Sequence, residues 1–320
     1  MPYELVPLNA GDITERFFGL FGRSFKRVAV LFILVAIPGA VVMAVAMDAL
    51  FSSVLDLISM GESGRTSAAL IQSALRGFTI LAVGILLVLL ADVVILVAVQ
   101  LVVCGEIVGR SIGVREAFEL CSPSRLGRAV GQRILGETAS LLAIIGPYLL
   151  IPVVIAAGAG AGTIVLVILV FVLALGLYLY LRVRWAFGTT TIAWEDQSVL
   201  GAFTRSGYLV RGYGWRVFGI LAVFALVITV GLSMLLTPFQ LWAFKDLFML
   251  GLQESARNAA QQMPDNPVEI LADIGFAYGL IAGGATLLQT VFKSIYLPIL
   301  YFDLRARKGE FAGQPLEQTS

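Results

Sequence analysis

Six nearly unbroken apolar stretches punctuate the chain, at about 28–47, 79–103, 135–157, 162–182, 217–237 and 274–302. A bilayer core of roughly 30 Å takes about 20 such residues per helix, and inside it each segment must satisfy its own backbone polar groups. All six meet that length, and none alternates as the ten-residue segments of an outer-membrane barrel do. The pattern predicts six membrane-spanning helices.

Shorter segments with helical spacing of apolar and polar positions precede the first, third and fifth spans. In "GDITERFFGLFGRSFKRV" Asp12 and Glu15 stand in capping-box spacing, while Ile13, Phe17, Leu20, Phe21 and Phe25 form one apolar stripe. The segments "GVREAFELCSPSRLGRAVG" and "SVLGAFTRSGYLVRGYGWRV" share the pattern V-x-x-A-F, from Val114 to Phe118 and from Val199 to Phe203. Interfacial helices are thus expected at about 12–26, 113–130 and 198–212, too short and too charged to span, with their aromatics in the acyl boundary. The predicted fold class is all-α: a polytopic membrane protein, one integral domain over 1–320, built of three hairpins. A cytoplasmic interfacial amphipathic helix precedes each hairpin, so the units are parallel repeats, which permit a transporter without arguing for one. On the opposite side, 239–260 after Pro238 predicts a further amphipathic helix. "AAGAGAG" predicts a tight turn between the third and fourth spans, and Pro38, Pro147 and Pro152 predict kinks.

Composition agrees with the pattern. Of 320 residues, 59% are hydrophobic and 13% charged, and the mean hydropathy of +0.93 leaves too little polar surface for a globular domain. The "AVA" at 44–46 has the look of a signal-peptidase site. The apolar run around it starts only near Val28 and is about 20 residues long, however, which suits a permanent anchor better than a signal's core of roughly 7–15.

The net charge of +1 hides a split. Seventeen of the 22 basic residues fall on the N-terminal segment, the second and fourth loops and the tail; only Arg65, Arg76, Lys245 and Arg257 fall on the other side, beside eight acidic residues. By the positive-inside rule both termini are cytoplasmic, in a bacterial or archaeal cytoplasmic (inner) membrane. Either topology alone required this basic face, or it also attracts anionic phospholipids at about 1 kcal/mol per residue.

Catalytic chemistry is scarce. The chain has no histidine, the commonest general acid-base and metal-ligating side chain, and its two cysteines, Cys104 and Cys121, are too few and too far apart for a metal site. No catalytic residue, metal, cofactor or nucleic-acid partner is expected. Glu137, Glu195 and Asp196 are the only cytoplasmic-edge carboxylates not obviously on a surface helix.

"YLRVRWAF" at 180–187, Glu195, "AFTRSGYLVRGYGWRVFG" at 202–219 and "LYFDLRARKGE" at 300–310 together resemble the six-helix membrane region of some bacterial glycerophosphodiester phosphodiesterases. They equally resemble its stand-alone relatives of unassigned function, and the resemblance covers essentially the whole chain. It implies an architecture and a link to glycerophospholipids. It carries over no active site, because the catalytic barrel of those enzymes uses histidines and acidic metal ligands. The matched residues Arg182, Arg184, Trp185, Glu195, Arg211, Asp303, Arg305 and Arg307 would lie at the cytoplasmic headgroup level, where arginine can hold phosphate bidentately. The plainer account is that Arg305 and Arg307 anchor the last span and Asp303 pairs with a basic neighbour.

Two charges interrupt the spans. Asp92 and Lys293 lie about 18 and 15 Å from the cytoplasmic ends of spans two and six, at 1.5 Å per residue. Each costs roughly 3 kcal/mol mid-bilayer, and such groups find partners. They are expected to meet, with Gln289, Thr290 and Tyr296 as polar neighbours, either as a structural clasp or on a proton or solute path. Gly275, Gly279 and Gly283 form a small-x-x-x-small stripe for close helix packing, within the chain or between copies. The first functional expectation is a non-enzymatic protein that organises lipid, or docks a membrane-protein partner or a second copy, at the cytoplasmic face. The second is a permease-like protein using Asp92 and Lys293, and the third an intramembrane enzyme acting on headgroups.

Overall fold

The structure, a computed structural model, describes residues 3–62, 67–146, 152, 160–245 and 267–311. Among them are nine helices and no strand: α1 (Ala10–Glu62), α2 (Ser67–Val108), α3 (Val114–Leu120), α4 (Pro123–Ile145), α5 (Ala161–Arg184), α6 (Gly188–Glu195), α7 (Val199–Val210), α8 (Gly214–Ala243) and α9 (Pro267–Arg307). Five stretches of helix, in or beginning in α1, α2, α5, α8 and α9, are long and apolar enough to cross a membrane, which makes this a multi-pass membrane protein. Of the third predicted span, 147–151 and 153–157 lie outside the described residues. So do 156–159 of the predicted turn, 246–260 of the predicted outer helix, and Pro147.

Local chemistry sets the helix ends. Asn9 and Asp12 exchange hydrogen bonds, each backbone N–H donating to the other's side chain at 2.9 and 2.8 Å. The capping box therefore sits three residues before the expected Asp12–Glu15 pair, because Asn9 offers an amide oxygen to the first free N–H groups. From there α1 continues through Pro38 for 53 residues, so the expected interfacial helix 12–26 and first span belong to one continuous helix. Its expected stripe is split: Ile13, Phe17 and Leu20 are buried in the protein and Phe21 is half-buried, while Phe25, at its end, is 52% exposed and Phe18, off the stripe, 65%.

The interfacial helix expected at 113–130 is divided. Ser122 caps α4 by accepting from the Arg125 N–H at 3.3 Å, with Pro123 at the first helical turn. A proline lacks the N–H that α3 would need to continue, and it disfavours helical geometry in the residue before it. Similarly, α8 passes through Pro238 to Ala243 where an outer helix was expected to begin. Helix α6, buried from Gly188 to Ala193, has no counterpart among the expected elements.

The chain divides into two compact units. One comprises Met1–Arg27, Leu96–Phe224 and Lys293–Ser320; the other comprises Val28–Ile95 and Ala225–Phe292. In the first, α4, α5, α6 and α7 pack on one another, and the core gathers Leu20, Phe187, Ile192, Leu209, Ile295 and Tyr301. Phe224 stacks on Tyr296 with ring centroids 4.9 Å apart and meets Phe17 edge-on at 5.3 Å.

In the second unit, small residues let backbones approach. A Cβ on Gly279 of α9 would stand 2.6 Å from Ala44 Cα and from the Met43 carbonyl; Gly275 and Gly283 face Asp48 and Ala40 at 3.0 and 3.1 Å. The glycine stripe of α9 thus lies against α1 of the same chain. Gly84 of α2 meets Ala46 in the same way. Such contacts replace the hydrophobic driving force that a bilayer cannot supply between helices.

Candidate functional site

The polar residues of the first unit form three neighbouring constructions. The first holds the N-terminal segment. Asp303, fully buried near the end of α9, accepts from the Leu8 N–H at 2.7 Å, from Arg307 Nε at 3.1 Å and from Arg216 Nη2 at 3.3 Å. The Leu8 carbonyl in turn accepts from Arg216 at 2.6 Å and from Arg307 at 2.5 Å. Tyr3 extends the attachment, its N–H donating to the Ile107 carbonyl and its ring lying about 5 Å from the guanidinium groups of Arg16 and Arg23.

Glu195 and Glu310 anchor the second. Arg205 grips Glu195 through Nε and Nη2 at 2.9 Å and Glu310 through both terminal nitrogens at 2.7 Å, and Arg305 donates to Glu310 at 2.7 Å. The Tyr301 hydroxyl donates to Glu195. For Arg205 the Glu310 hydrogen bonds lead, overcoming partial burial, and with Glu195 they raise its pKa above the ordinary value. Burial would raise Glu310, but hydrogen bonds from Arg205 and Arg305 outweigh it and hold the carboxyl below its usual range. Nearby, Asp196 closes α6 in the left-handed region at φ 56°, which Asp tolerates better than most side chains. Arg128 and Arg125 bind its carboxylate at 2.6 and 3.1 Å. Desolvation would raise its pKa, but the hydrogen bonds and charges of Arg128 and Arg125 together outweigh it and lower it.

The third is a groove of about 1160 Å³ between the end of α5, the face of α7 and the turn into α8. Ser198 starts α7 by accepting from the Gly201 N–H at 3.1 Å. Gly212, at φ 88°, makes the turn after Arg211 that a Cβ would strain. Arg184 Nη1 donates to the Tyr180 hydroxyl at 2.6 Å, and Gly207 leaves room for the guanidinium: a Cβ there would lie 3.3 Å from Nε. Arg211 is exposed, and neither arginine makes an ion pair among the described residues. Trp215, on the groove's edge, is 87% exposed.

The sequence-derived candidates therefore part company. Arg184 and Arg211 line the groove, whereas Arg182 pairs with Glu137 at 2.5 Å and Trp185 packs edge-on against Phe203. Glu195, Arg305 and Arg307 are held in the ion-pair networks. In the second unit, Asp92 is buried and accepts from the Thr290 hydroxyl, and Gln289 donates to Thr229 at 3.4 Å. Lys293, half-buried, and Tyr296 are counted with the first unit. Sequence reasoning missed Arg205 as the bridge between two carboxylates, and missed Tyr180, Tyr208 and Gly176 in the groove. The signal was present in "RSGYLVRGYGWR", which interleaves glycine, aromatic and arginine. Among the described residues no group of three or more Cys, Asp or Glu could hold a metal ion.

Neither a curated protein nor a solved structure matches the chain. A family model described as a domain of unknown function (DUF7847) matches residues 124–295, more than half of the chain, taking in the groove and Arg205 but not Asp303 or Glu310; the chain belongs to that family.

Proposed function

We propose that the protein is a non-enzymatic, six-span component of a bacterial or archaeal inner membrane, with both termini cytoplasmic, that holds anionic lipid at its cytoplasmic face. The observation that carries this reading is a contrast within one unit. Arg205, Arg216, Arg305 and Arg307 are engaged by carboxylates, while Arg184 and Arg211 keep donors at the surface beside an exposed tryptophan. Tryptophan at such exposure suits the headgroup layer, where one edge of the ring is wet and the rest apolar. The resemblance of the 180–187, 202–219 and 300–310 segments to the membrane region of glycerophosphodiester phosphodiesterases supports a glycerophospholipid direction. Lipid mass spectrometry on the purified protein tests the reading: enrichment of anionic phospholipid over the bulk membrane is expected, and lipid retained only in bulk proportion would remove it.

Asp92 favours a second reading, a permease-like carrier working through Asp92 and Lys293. Its support is a buried carboxylate within one of the most apolar helices, beside a threonine hydroxyl. Proton-coupled uptake into proteoliposomes that disappears in Asp92→Asn would favour it over lipid holding.

A further inference from the structure

We propose that the groove between α5, α7 and the start of α8 is a site for one molecule of anionic phospholipid. Its phosphate would be held by Arg184 and Arg211, and one acyl chain would run along α5 past Gly176. This deepens the reading above and rests on it.

The charge of the groove is one-sided. A guanidinium offers five N–H donors, and Arg184 spends one on Tyr180. Arg216 also lines the groove, but its charge is paired with Asp303, whereas Arg184 and Arg211 make no ion pair among the described residues and are the phosphate ligands. No Asp or Glu is among the lining residues, so nothing in the groove competes for those arginines or repels a phosphate.

The remaining wall is apolar, formed by Leu179, Val183, Val210 and Phe218. It continues up one face of α5, where Leu173, Val172, Leu169 and Val165 follow Gly176 at steps of three and four residues and are all exposed. A Cβ at Gly176 would meet nothing within 4 Å, so the route onto that face is open. The volume of about 1160 Å³ exceeds the roughly 300–1,000 Å³ of pockets for small molecules, which argues for a ligand with a tail over a free phosphate. Trp215, Tyr180 and Tyr208, all exposed, mark the level at which headgroups give way to hydrocarbon. Arginines and aromatics thus stand where a phosphate ends and its chains begin.

Native mass spectrometry of the full chain in detergent, titrated with phosphatidylglycerol, tests the site. One lipid per chain is expected to be retained, at least tenfold more weakly in the double variant Arg184→Ala, Arg211→Ala. Gly176→Phe keeps both arginines, grows into open space and blocks the track; it should weaken retention as much while leaving the melting temperature unchanged. Arg115→Ala, a remote exposed charge, should change nothing. Wild-type binding in both groove variants, with phosphatidylglycerol still retained, would overturn the site and leave the broader reading intact. No retention of anionic lipid by the wild type would remove both. Full displacement by glycerol 3-phosphate would show that a soluble anion suffices and refute the acyl track, and equal retention of phosphatidylcholine would refute selection for net charge.

Discussion

Arg205 donates two hydrogen bonds, both 2.7 Å, to Glu310, a residue 105 positions further along the chain. The same guanidinium grips Glu195 on its other edge. One planar cation therefore separates two carboxylates that would otherwise repel across a partly buried gap. Arg205→Ala should lower stability by about 2–3 kcal/mol, somewhat under the cost of breaking a fully buried pair. Arg205→Lys should recover little, because an ammonium cannot fork to two carboxylates. Thermal unfolding in detergent measures both.

The pH dependence follows from the lowered carboxyls of Glu310 and Asp196. A depressed folded pKa contributes stability that is fully present above the unfolded value, about 4 for these groups, and is lost as pH falls through the folded value. The melting temperature should be level from neutral pH down to about 5 and fall steeply below about 4. In Arg205→Ala the fall should be shallower, since Glu310 loses its main partner. A fall of equal depth would contradict the assignment.

The glycine stripe separates two neighbouring substitutions. Gly279→Ala places a methyl 2.6 Å from α1 backbone, whereas Gly284→Ala meets nothing within 4 Å. The first should cost about 1–3 kcal/mol through overpacking, and the second should gain up to about 1 kcal/mol through helix propensity. Denaturation in mixed micelles should therefore shift in opposite directions.

Asp303→Ala should free the N-terminal segment. With the carboxylate gone, the Leu8 N–H loses its acceptor and Arg216 and Arg307 lose their counter-charge. A local loss of about 3 kcal/mol corresponds to roughly hundredfold faster amide exchange at Leu8. Hydrogen exchange read by mass spectrometry tests this, and unchanged protection would show that the attachment does not depend on the Asp303 carboxylate.

Apolar length was legible along most of the chain, because a membrane span is written in twenty consecutive residues. The ends of helices were legible only where their chemistry was read closely. Ser122–Pro123 carried a break that a search for stripes passed over, and Asn9 carried a cap assigned to Asp12. The facing of the first stripe was not legible: Phe17 and Phe18 are neighbours of one residue type, and only tertiary packing decides which is buried. Among the site residues, arginine identity marked the headgroup level but not allegiance. Nothing local to Arg205 says that it meets Glu310, which arrives from 105 positions away, whereas the Tyr180 that meets Arg184 lies only four residues before it.

The bond from Leu8 to Asp303 also has a history. Leu8 is synthesised 295 residues before its acceptor, an interval of about 15–60 s at 5–20 residues per second. Throughout that time Leu8 waits without its acceptor, and the junction can close only when the last helix has been threaded. A chain stalled before α9 therefore lacks this acceptor, and the Leu8 N–H makes its bond only once α9 has been made.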